Sequence, residues 1–332
     1  MAGSIRAVLA GAGGYLPGRI VSNDEMARRV DTSDAWIRER TGIHQRHQAG
    51  AEETTTAMAT AAARQALAMA GVGPDAVDLI IVGTSTPDQA FPSVAVRVQA
   101  ALGIGQGFGF DIAAACAGFI YALSIADEMI RAGRARGVLV IGAEVFSRIL
   151  DYEDRGTCVL FGDGAGAVFL RAEDAGAEPA LARGILSTHL HAQGSLGDIL
   201  YVDGAVGVTD SAGLPMPGKL RMNGREVFRH AVQRLAESVE EALAANHLPR
   251  DAVDWLVPHQ ANIRIIESMG RKLGLPPERV VITVDRHANT SAASIPLALA
   301  EAMADGRIAR GQLVLMEALG GGLVWGSALL RI

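Results

Sequence analysis

A cysteine at the start of a helical pattern is the first residue of this sequence that could carry chemistry. Cys116 lies in DIAAACAGFIYALSIADEMI, where an apolar run gives way to helical spacing. Its small neighbours suit a sharp strand-to-helix turn of the nucleophile-elbow kind, although the spacing is not G-x-S-x-G. A thiol there would face unpaired backbone N–H groups and the positive end of a helix dipole, which lower a thiol pKa. Lone cysteines are also commonly small buried apolar residues, so the spacing alone leaves both roles open.

Two further polar residues follow apolar strand patterns and precede helical ones. His259 lies in WLVPHQANIRII and Asn289 lies in RHANTSAASIP. The ends of strands are where α/β folds place reactive groups, so a neutral imidazole at His259 could donate a hydrogen bond or act as a base. The Asn289 amide could donate to a substrate carbonyl. The alternatives are a core or capping histidine and an asparagine that caps the next helix.

Three other motifs give weaker signals. EALGGGLVWG contains three consecutive glycines, Gly320 to Gly322, which either let backbone N–H groups approach a ligand or form a plain turn. THLHAQG places His189 and His191 on one strand face without a third ligand, so we predict no metal site. Cys158 lies in an apolar strand-like run and is predicted to be structural.

Composition and charge exclude several classes of protein. The chain has 332 residues, of which 49% are hydrophobic and 20% charged, as in a globular enzyme. The net charge of −6 gives no case for nucleic-acid binding. Two cysteines are too few for a disulfide framework, and no apolar run is long enough to span a bilayer. We expect a cytoplasmic protein with no membrane or nucleic-acid partner.

The elements that must position these residues alternate between strand and helix patterns. We predict strands at 79–82, 137–141, 165–170, 255–257, 280–284 and 313–316. We predict helices at 55–70, 117–132, 225–245, 263–273 and 295–304. This alternation is typical of an α/β fold with mainly buried strands.

The chain also resembles itself. ALAMAGVGPDAVDLIIV aligns without gaps to ALAANHLPRDAVDWLVP, and GRARGVLVIGAE and AGAVFLR have later counterparts in the same order. Three pairs of similar segments in the same order indicate that the chain contains two copies of one α/β unit. Similar composition of unrelated segments is the less favoured explanation. We place the junction within residues 171–184 and the two halves at 1–175 and 176–332. The same offset sets Cys116 opposite Ala292, so the two halves could bring matching strand–helix corners to one site.

The motifs DIAAACAGF, VPHQAN, NTSAASIP and GGGLVWG resemble the β-ketoacyl-acyl carrier protein synthase III family. The resemblance runs end to end through YLPGRIVSN, DTSDAWIRERTGI, AFPS, DRGT and FGDGAGA. It implies the thiolase-like fold, in which two duplicated α/β halves form α-β-α-β-α layers, and a homodimer. It further implies that Cys116, His259 and Asn289 form a Cys–His–Asn catalytic set.

The chemistry that the resemblance implies is a decarboxylating condensation. Cys116 takes the acyl group of an acyl-CoA in a ping-pong first half, with acetyl expected as a short starter. Malonyl-acyl carrier protein then loses CO₂, and His259 and Asn289 hold the enolate oxygen. The enolate attacks acyl-Cys116, whose oxyanion is held by the N–H groups of Cys116 and Gly321, and 3-oxoacyl-acyl carrier protein leaves to begin fatty-acid synthesis. Acyl-CoA is a substrate in this scheme, and no cofactor is implied. Thiolases proper use a second cysteine as base, and this chain has no cysteine at the corner that carries Asn289.

The resemblance also assigns residues to three binding roles. The CoA-binding residues are Trp36, Arg40, Arg155 and Gly224. The acyl-pocket residues are Phe146 and Phe91, of which Phe91 would reach the pocket of the partner subunit. The carrier-protein docking residues are Arg229, Arg264, Arg271 and Lys272. Without the family, a half-buried Trp36 and solvated helix faces would be the simpler interpretations.

Some positions depart from the family pattern, and other functions remain open. Ala288 stands where the family usually has glycine, Arg225 stands where asparagine is common, and the loop at 202–219 has no clear match. The nearest rival is a starter-condensing enzyme of a polyketide or signal-molecule pathway. A Cys–His–Asn acyl-CoA thioesterase and an acyl-binding protein without catalysis are the rivals from other classes.

Overall fold

Two β-sheets organise the chain, for which a computed structural model describes residues 5–176, 183–205, 208–212, 214 and 216–332. The N-terminal sheet has the order β1-β7-β6-β4-β5 and consists of β1 (Ile5–Tyr15), β4 (Leu79–Gly83), β5 (Phe108–Ile112), β6 (Gly137–Val145) and β7 (Asp163–Asp174). The C-terminal sheet has the order β11-β12-β13-β8 and consists of β8 (Gly184–Ala192), β11 (Trp255–Pro258), β12 (Leu313–Gly320) and β13 (Val324–Arg331). Two short pairs are β2 (Arg19–Ser22) with β3 (Gln45–Gln48), and β9 (Leu200–Val202) with β10 (Leu220–Met222).

The helices cover both faces of the two sheets. They are α1 (Asn23–Ala27), α2 (Asp34–Thr41), α3 (Thr55–Ala70), α4 (Val94–Leu102), α5 (Gly118–Arg131), α6 (Arg155–Cys158), α7 (Gly224–Ala245), α8 (Ile263–Leu273), α9 (Val284–His287) and α10 (Ser294–Ala304). The long α3 begins where the Thr54 side chain accepts the N–H of Ala57, and it ends at Gly71 in the left-handed conformation. Among the described residues, no helix is long and apolar enough to cross a membrane.

Three apolar clusters define five layers. One cluster joins α3 and α4 to the outer face of the N-terminal sheet. The central cluster joins α5 and α10 to the inner faces of both sheets. The third joins α7 and α8 to the outer face of the C-terminal sheet. The predicted α-β-α-β-α architecture is therefore confirmed, and strands buried on both faces explain why the sequence shows continuous apolar runs.

Four strands of each half share the same topology. In the N-terminal sheet β1 and β6 lie antiparallel to β7, and β4 lies parallel to β6. In the C-terminal sheet β8 and β12 lie antiparallel to β13, and β11 lies parallel to β12. The first residues of α5 and α10, Gly118 and Ser294, are 176 positions apart, which is the offset of the first sequence echo. The boundary between residues 175 and 176 stays a prediction, and 177–182 lie outside the described residues.

One predicted strand is wrong. Residues 280–284 form a single bridge between Val280 and Leu256, and Val284 already begins α9. The buried Gln260 side chain explains the difference, since its Oε1 accepts the N–H groups of Thr283 and Val284. Because these two N–H groups are bonded to a side chain, they cannot form the backbone hydrogen bonds of a β-strand at this position. The other five predicted strands and all five predicted helices are present, with ends that shift by a few residues.

Candidate active site

Cys116 lies on a tight turn between β5 and α5. Residues Ala115–Ala117 form one turn of 3-10 helix, and Ala115 has a φ of 43°, in the left-handed region. A non-glycine residue pays roughly 1–2 kcal/mol for this conformation. Gly83 packs so closely behind the turn that a Cβ there would lie 2.6 Å from the backbone of Gly118. The predicted elbow is therefore present, and small residues are required on both sides of it.

The C-terminal half has a second elbow of the same shape. Residues Ser291–Ala293 form the turn before α10, and Ser291 has a φ of 50°. Ser291 is 176 positions from Ala115, and Ala292 stands opposite Cys116, as the repeat predicts. A Cβ added to Gly118 would lie 3.3 Å from the Ala292 side chain, so the two elbows are in contact. The matching elbows thus place a cysteine from one half beside a serine from the other.

The electrostatics of Cys116 differ from the prediction. The thiol is buried, and burial raises its pKa to about 12. The hydrogen bond from the Ser291 side chain acts in the opposite direction, whereas the charge of Glu144 raises the pKa further. We predicted a lowered pKa from the helix N-terminus, but desolvation outweighs it because the elbow is packed between two sheets. With a pKa well above neutral, the group at rest is a thiol and not a thiolate.

His259 follows β11 and is buried at the end of that strand. Its N–H donates to the carbonyl oxygen of Glu317 on β12 at 2.8 Å, which continues the ladder by one residue. Burial lowers the pKa of its imidazole to about 4, so the ring is neutral at pH 7. Among the described residues its Nδ1 has no hydrogen-bond partner. A neutral imidazole is suited to donate a hydrogen bond to a developing negative charge.

Gln260 is a site residue that the sequence interpretation missed. It is fully buried, and its Nε2 donates to the carbonyl oxygens of Pro258 and Val281 at 2.8 and 3.0 Å. Its Oε1 accepts the N–H groups of Thr283 and Val284. These four bonds tie the His259 corner to the segment that leads to Asn289. In the sequence, its position next to His259 was the feature that could have indicated this role.

Asn289 lies two residues before the second elbow and is also buried. Its backbone bonds to Leu160 and Gly162, and its Oδ1 accepts the Ser291 N–H at 2.8 Å. Because Oδ1 is held, the Nδ2 donor points to the other side of the amide. The predicted alternative of a helix cap does not hold, since Ala293 precedes α10 and makes no side-chain cap. Ala288 has a φ of 59°, which explains why the family usually has glycine there.

The glycine run after β12 lies against the Cys116 elbow. A Cβ on Gly320 would be 2.6 Å from the Cys116 nitrogen, and one on Gly321 would be 2.6 Å from the Leu200 carbonyl oxygen. Side chains are therefore excluded, and the backbone passes directly beside Cys116. This close approach is the geometry that an oxyanion site built from backbone N–H groups requires.

A cavity of about 500 Å³ opens onto the thiol. Its lining includes Cys116, Gly321, Phe146 and Phe161, and the rings of the two phenylalanines stack at 4.9 Å. The lining is mainly apolar, with Leu200 and Leu220 among the other residues. His259, Asn289 and Phe91 are not part of it. Phe91 is 84% exposed, so within one chain it does not contact the predicted acyl pocket.

Three predicted CoA residues lie together on the surface. The guanidinium carbons of Arg40 and Arg155 lie 5.0 and 4.8 Å from the centre of the Trp36 ring. Arg155 also donates to the carbonyl oxygen of Asp31 at 2.9 Å. An aromatic plane with two guanidinium groups suits a purine and phosphates. The fourth residue, Gly224, is exposed at the first turn of α7, which Asn223 caps.

The predicted docking residues are exposed on α7 and α8. Arg264, Arg271 and Lys272 lie along α8, and Arg229 lies on α7. Arg264 donates to the Glu39 carbonyl oxygen, and Lys272 donates to the Val232 carbonyl oxygen. Arg229 pairs with Glu226 at 2.6 Å, so part of its charge is offset.

The two remaining predicted features are structural. His189 and His191 both contact Glu241 on α7, at 3.3 and 2.6 Å. Cys158 is buried at the end of α6 rather than on a strand, and burial raises its pKa to about 11. Neither group lines the cavity next to Cys116.

Comparisons with known proteins agree with this fold. Residues 110–194 match the family described as 3-oxoacyl-[acyl-carrier-protein (ACP)] synthase III, and residues 243–332 match its C-terminal family. The β-ketoacyl-[acyl-carrier-protein] synthase III of Granulibacter bethesdensis is 66% identical over 327 residues, covering 98% of this chain and 99% of that protein. The 3-oxoacyl-[acyl-carrier-protein] synthase III structure from Aquifex aeolicus is 47% identical with a TM-score of 0.90, covering 98% and 100% of the two chains. The priming β-ketosynthase of the R1128 polyketide pathway is 36% identical with a TM-score of 0.92, covering 100% and 98%.

Two thiolase-type halves, the first with a cysteine at its elbow where the two elbows meet, define a condensing acyltransferase. Within that class, the chain belongs to the β-ketoacyl-acyl carrier protein synthase III family.

Proposed function

We propose that this enzyme condenses a short acyl-CoA, acetyl-CoA first, with malonyl-acyl carrier protein and releases 3-oxoacyl-acyl carrier protein at the start of fatty-acid synthesis. The observation that carries the proposal is Cys116 on a strained elbow, where it lines an apolar cavity and lies beside a glycine run. A nucleophile, a site for an acyl chain and backbone donors are the three parts that acyl transfer needs.

In the first half-reaction the Cys116 sulfur attacks the thioester carbonyl of acyl-CoA. The N–H groups of Cys116 and Gly321 hold the oxyanion, since the backbone at 320–321 lies against the elbow. One such donor contributes about 2.7–4 kcal/mol in enzymes where it has been removed. CoA leaves, and the acyl group stays on the sulfur in the cavity that Phe146 and Phe161 line.

In the second half-reaction malonyl-acyl carrier protein loses CO₂ and forms a thioester enolate. His259 is neutral because burial lowers its pKa to about 4, so its ring donates a hydrogen bond rather than a full charge. Asn289 adds its Nδ2, whose direction follows from the Oδ1 bond to Ser291. Two fixed neutral donors stabilise the enolate oxygen, and its carbon attacks the acyl-Cys116 carbonyl.

The two substrates would use different surfaces of the chain. The Trp36 ring with Arg40 and Arg155 supports binding of the CoA nucleotide, and Gly224 leaves room beside α7. The cations of α8 support docking of an acidic carrier protein despite the net charge of −6. These assignments account for an enzyme that accepts a free CoA thioester in one half-reaction and a protein-bound one in the other.

We further propose a cytoplasmic homodimer in which Phe91 enters the partner's acyl pocket. A phenylalanine that is 84% exposed is costly on a free surface, and Phe91 precedes Pro92 and the capped start of α4. Burying such a ring contributes roughly 1.5–3 kcal/mol, which favours an interface there.

A second candidate is a starter-condensing enzyme of another pathway, since the R1128 priming synthase has a TM-score of 0.92 to this chain. Its chemistry at Cys116 would be the same, and only the starter and the carrier would differ. A thioesterase is the third candidate, and it needs no malonyl carrier.

The test is a product assay with acetyl-CoA and malonyl-acyl carrier protein, supplied together and separately. We expect one 3-oxobutanoyl-acyl carrier protein and one free CoA per turnover, and at most one CoA per active site without the malonyl carrier. Continuous CoA release without that carrier would support the thioesterase and contradict the proposal. Faster turnover of long or branched acyl-CoAs would contradict the acetyl starter alone.

A further inference from the structure

A buried carboxyl group lies next to the Cys–His–Asn set. Glu144 is fully buried at the end of β6, on the sheet face that carries Val138 and Val140 into the central layer. Both of its oxygens accept the Ser85 N–H at 3.1 Å. Oε2 also accepts the hydroxyls of Thr86 at 2.6 Å and Thr84 at 3.3 Å. The loop after β4 therefore holds this carboxylate in one orientation.

Ser291 connects this carboxylate to the nucleophile. Its Oγ donates to Glu144 Oε1 at 3.2 Å, and the same hydroxyl lies beside the Cys116 sulfur, where donation to the sulfur instead would lower the pKa of the thiol. The backbone of Ser291 is fixed by its left-handed φ and by the bond from its N–H to Asn289. While the hydroxyl donates to Glu144, its oxygen is free to accept a hydrogen bond from the Cys116 thiol. Cys116, Ser291 and Glu144 thus form a continuous line across the contact between the two elbows.

The charges on this line favour the transfer of one proton. Burial raises the pKa of Glu144 to about 7, while its hydrogen bonds act to lower it, so the carboxylate is accessible at neutral pH. The charge of Glu144 disfavours a thiolate at Cys116, and that repulsion ends when Glu144 is protonated. His259 is a poor alternative acceptor, because burial lowers its pKa to about 4.

We propose that Glu144 is a positioning residue that accepts the Cys116 proton through Ser291 during acylation and returns it when the product leaves. This inference rests on the proposed function, because it assigns the proton of the nucleophile in that reaction. It also explains the duplicated elbow, in which the C-terminal half supplies a hydroxyl instead of a second nucleophile.

The atoms and charges balance over the cycle. As the Cys116 sulfur bonds to the thioester carbon, its proton moves to Ser291 Oγ and the Ser291 proton moves to Glu144. The carbonyl π electrons become the oxyanion, which collapses and breaks the bond to CoA, and the CoA thiolate takes a proton from water. In the second half the collapsing intermediate expels the Cys116 sulfur, and the proton returns from Glu144 through Ser291.

The test separates the two half-reactions in the full chain. Acylation is followed by rapid-quench intact mass after mixing with acetyl-CoA, and decarboxylation by CO₂ release from malonyl-acyl carrier protein without acyl-CoA. We expect Glu144→Gln and Ser291→Ala each to slow acylation by about 10²-fold or more, the usual range for loss of a general base. Decarboxylation uses His259 and Asn289, so it should stay within a few-fold of the unchanged enzyme.

Two further variants exclude a merely structural effect. Ser238→Ala removes another buried hydroxyl, bonded to Ser327 at 2.8 Å in the C-terminal sheet, and should leave both half-reactions unchanged. Glu144→Asp keeps the carboxylate and should recover part of the acylation rate. Acylation of Glu144→Gln at the normal rate, or an equal fall in both half-reactions of folded Ser291→Ala, would overturn the proposal. Neither outcome would affect the proposed function, which is tested separately in the unchanged enzyme by acylation of Cys116 and by CoA release without the malonyl carrier.

Discussion

Ala115 and Ser291 occupy corresponding positions of the two halves, 176 residues apart, and both have left-handed backbone conformations, with φ of 43° and 50°. The residue after Ala115 is Cys116, and the residue after Ser291 is Ala292. The two strained turns pack against each other, so one half presents a thiol and the other presents a hydroxyl to it. Strain of this kind persists where the surrounding structure holds it, which is typical of functional sites.

The glycine run should tolerate no side chain at the position next to the nucleophile. In Gly320→Ala the new Cβ would lie 2.6 Å from the Cys116 nitrogen, so either the elbow or the loop must move. We expect kcat/KM to fall by about 10²-fold, since oxyanion donors act only when well placed. Gly194→Ala is the control, because no atom lies within 4 Å of its added Cβ. Steady-state kinetics that show equal activity for both variants would contradict the close approach.

The pH profile of decarboxylation should carry no inflection from His259. Burial lowers the pKa of this imidazole to about 4, so the ring stays neutral from about pH 5.5 upward and loses its function only below that range. The measurement is CO₂ release from malonyl-acyl carrier protein between pH 5.5 and 8. A rate that falls with a midpoint near 6.5 and loses this midpoint in His259→Asn would show a normally titrating imidazole instead.

Glu317 should make the protein less stable as the pH rises. Its side chain is fully buried, neither carboxyl oxygen has a partner among the described residues, and burial raises its pKa to about 8. A folded-state pKa above the unfolded value of about 4.3 gives stability that is complete below that value and lost as the pH rises through 8. The limiting slope is about 1.4 kcal/mol per pH unit.

Glu317→Gln removes this ionisation and should flatten the pH dependence of the free energy of unfolding. Urea unfolding at pH 5 and pH 8 measures it, and the exposed Glu278→Gln is the control. If Glu317→Gln kept the pH dependence of the unchanged chain, the carboxyl group would not be the cause.

The cations around Trp36 should act on CoA binding and not on the chemical step. In Arg155→Ala the guanidinium 4.8 Å from the ring is lost, which should cost about 1–2 kcal/mol, or roughly 5- to 30-fold in KM for acyl-CoA. The acylation rate at saturation should not change. Arg38→Ala is the matched control on α2, since Arg38 pairs with Asp34 at 2.7 Å. A fall in the saturated rate with unchanged KM would argue against a binding role for Arg155.

Local patterns were sufficient for five of the six predicted strands, for the five predicted helices and for the corners of the site. The bounds of α3 and α8 agree with the predicted helices because their apolar spacing and caps are encoded within each segment. Cys116, His259 and Asn289 stood out because each lies where an apolar run gives way to a helix.

Features that depend on distant residues could not be predicted in this way. The Ser291–Glu144 bond joins residues 147 positions apart. The contact between Trp36 and Arg155 joins α2 to α6, and only the family resemblance indicated that these two residues act together. The pKa of Cys116 was expected in the wrong direction because burial between two sheets is a property of the whole fold.

The most direct test of covalent catalysis by Cys116 is the intact mass of the enzyme after incubation with a panel of acyl-CoAs, without the malonyl carrier. We predict a single added acyl group, largest in yield for acetyl, on a peptide that contains Cys116, and no added mass in Cys116→Ala. Addition of malonyl-acyl carrier protein should remove the label and yield the 3-oxoacyl product. An acyl group that persists in Cys116→Ala, or condensation that proceeds at the full rate in that variant, would contradict a covalent mechanism through Cys116.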